Sequence, residues 1–191
     1  MRNFITKLSV ILLLTAISAA CSEPKSVPTP RPRSYHRPIP ADTASAVWTD
    51  GGNRWIHNTE ATAISPREGW LTVSYPRRSM TLYITYTRAR GVELAEARIN
   101  RMERLLLNTG SGPAVEQEFT NPQGWQIYLM KSQSLTTPVQ FLATDGTSTL
   151  VSGSLQSTAD ADDYEAIRPD VDIVSRDILA SLGQLGADEN N

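Results

Sequence analysis

Cysteine occurs once in this 191-residue chain, histidine twice and lysine three times. The lone Cys21 excludes an internal disulfide and a thiolate metal cluster. His36 and His57 are too far apart in the chain to form a short metal-ligand motif. With no histidine after residue 57, a serine triad in the body would need its base from the N-terminal arm. No Gly-x-Ser-x-Gly elbow, phosphate loop or dinucleotide fingerprint is present, so neither metal nor cofactor is expected. Charge is low and balanced, 18 basic against 20 acidic residues, which leaves no basic footprint for nucleic acid. Long apolar runs are also missing. The single candidate, Leu8 to Ala20, covers 13 residues, short of the roughly 20 that span a bilayer as a helix.

That short run is informative for another reason. Arg2 and Lys7 precede it, and it ends in Ser18-Ala19-Ala20-Cys21. A basic start, an apolar stretch and small residues before the cut read as a secretory signal over residues 1–20. A cysteine at the first position after the cut points to a bacterial lipoprotein acylated on Cys21. Each buried methylene contributes roughly 0.8 kcal/mol, so two or three acyl chains hold where one does not. Cleavage leaves 16 basic and 20 acidic residues, a net charge of −4. Ser22 follows the cysteine where an aspartate would suggest retention in the inner membrane, and Glu23 is a single acidic residue, not an acidic run. The periplasmic face of the outer membrane is the expected location.

Residues 21–42 read as a tether. Six of the twelve prolines lie between Ser22 and Pro40, a composition that favours extended polyproline II with about 3.1 Å of rise per residue. Arg31, Arg33 and Arg37 surround Tyr35 and His36. This basic aromatic patch suits either a partner's groove or anionic lipid.

Residues 43–185 read as one α+β domain, with residues 186–191 as a flexible tail. The arm from Ala41 to Arg67 shows little pattern beyond apolar points at Trp48, Trp55 and Ile56 and a short strand at 54–57. Alternation then becomes clear. Trp70 to Tyr75 and Met80 to Thr87 form an antiparallel hairpin with one wet face, its tip carrying Arg77 and Arg78 in solvent. Ala95, Ile99, Met102 and Leu106 trace the stripe of a helix that stops at Asn108-Thr109-Gly110. Four strands follow, at 115–120, 125–130, 139–144 and 148–155, with a tight turn at Asp145-Gly146 and a bulge at Gly153. Ile167, Val171, Val174, Ile178 and Leu182 mark a closing helix with Pro169 in its first turn and Gly183 at its stop. Strand blocks separated by helices predict an antiparallel sheet packed by two helices. In this order of elements the chain resembles a PsbP/Mog1-type sandwich at the level of the fold.

Candidate chemistry is sparse. Glu116 and Glu118 share one strand face and would serve an envelope hydrolase if they lined a cleft. Tyr83, Tyr86, Trp125 and Tyr128 would wall a small-molecule or glycan site, or else pair across strands in the core. Asp160-Ala161-Asp162-Asp163 lacks the glycine and distal glutamate of a calcium loop and suits a helix cap better.

Several segments in order carry a resemblance. They are Pro30 to Arg37 after the cysteine, Trp70 to Pro76 running into Leu82 to Tyr86, Pro138 to Asp145, Leu150 to Leu155, and Ile167 to Val171 with Asp177-Ile178. In this ordered set the chain resembles the gliding-motility lipoprotein GldD family of the Bacteroidota. The resemblance implies a non-catalytic envelope lipoprotein held to the membrane through Cys21. It also implies partners among gliding or type IX secretion components, and it brings no catalytic residues.

Overall fold

The computed structural model describes residues 40–108 and 113–187. Nine strands and two helices are present among them. They are β1 (Ser45–Asp50), β2 (Asn53–Asn58), β3 (Thr62–Arg67), β4 (Trp70–Tyr75), β5 (Met80–Arg88), α1 (Gly91–Asn108), β6 (Ala114–Thr120), β7 (Gln126–Ser132), β8 (Val139–Thr144), β9 (Thr149–Ser157) and α2 (Tyr164–Leu182). The fold is α+β. Strands β1 and β2 make a separate hairpin, and the other seven form an antiparallel sheet ordered β3-β4-β5-β9-β8-β7-β6. The chain climbs through β3 to β5, and α1 connects it to the far edge. It then returns as the meander β6 to β9, so that β9 pairs with β5 at the centre.

Period-two alternation divides the sheet into two chemically different faces. On one lie Leu71, Val73, Leu82, Ile84, Val151, Leu155, Phe141 and Leu129, all buried in a core shared with α2. Ile167, Val171, Val174, Ile178 and Leu182 supply the helix side, at the positions their spacing predicts. Fully burying each such side chain contributes about 1.5–3 kcal/mol. Trp55 of the hairpin completes this core, stacked on Phe141 with ring centroids 5.6 Å apart. Trp48 stacks on Tyr86 at 6.1 Å.

The opposite face is covered only in part. There α1 packs Leu94, Ala97, Met102 and Leu105 over Met130, Leu142 and Leu150. The helix is therefore rotated from the stripe that spacing predicts. Ile99 is 58% exposed and Leu106 50%, and Ala95 also faces solvent. The side of this helix that packs is the one centred on Leu94 and Leu105, which meets the small apolar patch that the sheet offers.

Three other expectations need correction. Arg78 is not in solvent but 3% exposed, for reasons given below. Gly153 is no bulge, because its register with Ile84 and Phe141 is unbroken. Its missing side chain makes room for the Phe141 ring, whose Cε1 lies 2.1 Å from where a Cβ would stand. Pro169 lies inside α2, and the helix starts earlier because Asp163 caps it by accepting from the Ala166 amide at 3.1 Å. Gly186 lies beside buried Leu185 with φ +78°, where an added Cβ would meet the Trp125 ring.

The turn after β8 is wider than the expected two-residue hairpin. Asp145 Oδ1 accepts the amides of Thr147, Ser148 and Thr149 at 2.8–2.9 Å. Partial burial would raise the Asp145 pKa, but these hydrogen bonds outweigh it and hold the carboxyl well below the usual range.

Candidate functional site

Two recesses flank α1 on the half-covered face. The first lies between α1, β6 and β7, with a volume of about 370 Å³. Arg98 and Met102 line it from the helix, and Glu118, Thr120, Gln126 and Tyr128 from the sheet. The Tyr128 hydroxyl is pushed up to about 12, by burial first and then by its hydrogen bond to Glu116. Thus Glu118 faces this cleft while Glu116 is engaged with Tyr128, and both carboxylates are exposed on an edge strand. Two-carboxylate hydrolysis needs a pair across the scissile bond, roughly 5 to 9.5 Å apart. The described lining of this cleft holds one carboxylate.

The second recess lies between α1 and strands β4, β5, β8 and β9, with a volume of about 320 Å³. Strand register builds its floor. One row runs Thr72, Tyr83, Ser154, Gln140, and the next runs Trp70, Thr85, Ser152, Leu142. Trp70 and Tyr83 are therefore diagonal neighbours, close enough for large rings to share a surface. They are 40% and 44% exposed. The Arg67 guanidinium lies 3.6 Å from the Trp70 ring centroid and covers one side of the indole. Arg101, Arg104 and Asn108 of α1 form the facing wall.

The four aromatics proposed from sequence do not meet. Tyr83 belongs to the second recess and Tyr128 to the first. Tyr86 lies on the opposite face of β5, where its hydroxyl donates to the Arg54 carbonyl at 3.2 Å. Tyr86 and Trp125 line a smaller pocket of about 140 Å³ with Arg54, Arg88 and Gly186. Parity explains the division, because residues three apart on a strand face opposite ways. Trp70 was the aromatic overlooked. Its position at an alternating polar place, across from Thr85, was the available signal.

A third cluster is buried on the α2 side. Arg78 Nε and Nη2 donate to the two oxygens of Glu60 at 2.6 and 3.1 Å, and Nη1 donates to Asp170 at 2.7 Å. Burial disfavours the Arg78 charge, but the two carboxylates outweigh it and raise its pKa above the ordinary value. The Tyr75 hydroxyl donates to Asp177, which also accepts the Asn58 amide at 3.1 Å. Burial, then the Asp177 charge, drives the Tyr75 pKa strongly upward. This cluster ties the β2–β3 turn, the β4–β5 turn and α2 together. His57 is buried beside it and bonds through Nδ1 to the Asn58 carbonyl at 2.9 Å, a structural role.

No family model, curated protein or solved structure matches the chain. Neither the GldD resemblance nor the PsbP/Mog1-type topology gains a relative from these comparisons. Among the described residues, no three His, Cys, Asp or Glu side chains group so as to hold a metal ion. No described helix is long and apolar enough to cross a membrane. Cys21, Arg31, Arg33, Tyr35, His36 and Arg37 lie outside the described residues.

Proposed function

We propose that this chain is a lipid-anchored, non-catalytic interaction component of a bacterial envelope, akin to the GldD lipoproteins of gliding and type IX secretion. The observation that carries this reading is the cysteine directly after Ser18-Ala19-Ala20, followed by the proline- and arginine-rich stretch. In this reading Cys21 bears the acyl chains and holds the protein at the periplasmic face of the outer membrane. Arg31, Arg33, Tyr35 and Arg37 meet a partner protein or lipid.

The body supports the reading at its own first residues. Asp42 is held to the β2–β3 turn, where Thr59 Oγ1 donates to its carboxylate at 2.9 Å and Asn58 Nδ2 donates to its carbonyl. The tether thus ends at a fixed attachment point.

Crosslinking in native envelopes tests the proposal. Tagged wild-type protein is expected to recover gliding or secretion components, and Arg31, Arg33 and Arg37 changed together to Ala is expected to reduce that recovery severalfold. A wild-type sample that crosslinks to no such component would count against an interaction role.

A further inference from the structure

The second recess is a groove between α1 and strands β4, β5, β8 and β9. We propose that it binds an acidic oligosaccharide, a short sugar chain bearing carboxylates. This site does not depend on the lipid anchor or on the interaction reading.

Face-covering elements normally bury apolar residues, and α1 does so over Met130, Leu142 and Leu150. Immediately beside that patch the same face turns hydroxylic, with Thr72, Thr85, Ser152 and Ser154 half-buried. Hydroxyls in such a floor present donors and acceptors together, as sugar hydroxyls require. Trp70 and Tyr83 stand up from the same floor, and aromatic faces suit the apolar C–H side of a pyranose ring. The volume, about 320 Å³, lies at the small end of ligand pockets and suits one or two sugar rings at a time.

Charge then selects among sugars. Arg101 and Arg104 enter from one helix, one turn apart on the same side. Neither has an ion-pair partner among the described residues. The described lining contains no carboxylate to neutralise them. Guanidinium forks suit carboxylates in bidentate geometry. A nucleic acid would also stack on rings and meet arginines, but two guanidiniums in one short groove match a short carboxylate-bearing chain better than a phosphate backbone that engages many cations at once.

Calorimetric titration of the full chain in detergent micelles tests this with three probes: trigalacturonate, neutral cellotriose and inorganic phosphate. Trigalacturonate is expected to bind saturably and to weaken as salt rises. Cellotriose is expected to bind at least about tenfold more weakly, and phosphate is expected not to displace the acidic sugar. Trp70→Ala removes the stacking surface, and R101Q with R104Q removes the charge at one half-buried and one exposed position of the helix. Each variant is expected to weaken trigalacturonate at least about tenfold, with unchanged melting of the arginine double variant showing that it folds. No saturable binding of trigalacturonate would overturn the proposal. So would equal affinity for cellotriose, complete displacement by phosphate, or unaltered binding by the folded arginine variant.

Discussion

Replacing Arg78 with Met is expected to destabilise the body by about 3–5 kcal/mol, because it strands a buried carboxylate. The Glu60 side chain is 5% exposed and the Arg78 side chain 1%, and Glu60 presents both oxygens to the one guanidinium. Take away the cation and Glu60 keeps its desolvation cost with nothing to offset it. Asp170, at 17%, retains more water and suffers less. The lost pairs join three parts of the chain, so the transition should also broaden if the β2–β3 turn loosens first. In a domain of this size, about 3 kcal/mol corresponds to a fall in melting temperature on the order of 10 °C. The double variant R78M with E60Q should be less destabilised than R78M alone, since the stranded charge is gone too. Thermal unfolding by circular dichroism checks both. A drop of only one or two degrees for R78M would mean that the pair is solvated in solution.

Changing Gly153 to Val is expected to cost about 3 kcal/mol or more, the upper range for forcing extra methyl groups into a packed core. Phe141 Cε1 and Cζ lie 2.1 and 2.2 Å from the position of the added Cβ. The ring cannot swing aside cheaply, because Trp55 stacks against it with the planes 11° apart. Phe141 and Trp55 are both 1% exposed. Accommodating Val therefore means displacing the β1–β2 hairpin from the sheet, and near-ultraviolet circular dichroism of the tryptophans should change with it. Shortening the ring as well, with F141L, should recover part of the loss. A G153V protein of wild-type stability would show that the ring moves freely and that the stack is loose.

Much of the architecture follows from period alone. β4, β5 and β8 stand where alternation or a continuous apolar run places them, and α2 buries the five residues its spacing selects. Those segments have one dominant pattern each. Where two patterns compete, the chain does not say which wins. In α1, Ala95-Ile99-Met102-Leu106 is the more regular stripe, yet Leu94 and Leu105, with Ala97 and Met102, are the residues that pack, because the apolar patch on the sheet decides. β1 and β3 carry little alternation, because β1 lies in a two-stranded ribbon and β3 is an edge strand with a register shift between Ile64 and Arg67.

The recesses were legible in pieces. Tyr83 was found, but its companion Trp70 and the hydroxyl rows depend on which strands are neighbours. The β5–β9 pairing joins residues about 70 apart in the chain. Arg78 is the clearest case of distant information. A basic pair at a hairpin tip reads as solvated until Glu60, 18 residues before it, and Asp170, 92 residues after it, are brought alongside.

The anchored reading stands or falls on Cys21. Metabolic labelling with radioactive palmitate, followed by membrane fractionation, tests it most directly. Label is expected on the wild-type protein in the membrane fraction. None is expected on Cys21→Ala, which should be recovered soluble with unchanged melting because Cys21 precedes the described body in the chain. Unlabelled wild-type protein in the soluble fraction, or a Cys21→Ala protein still held in the membrane, would contradict it.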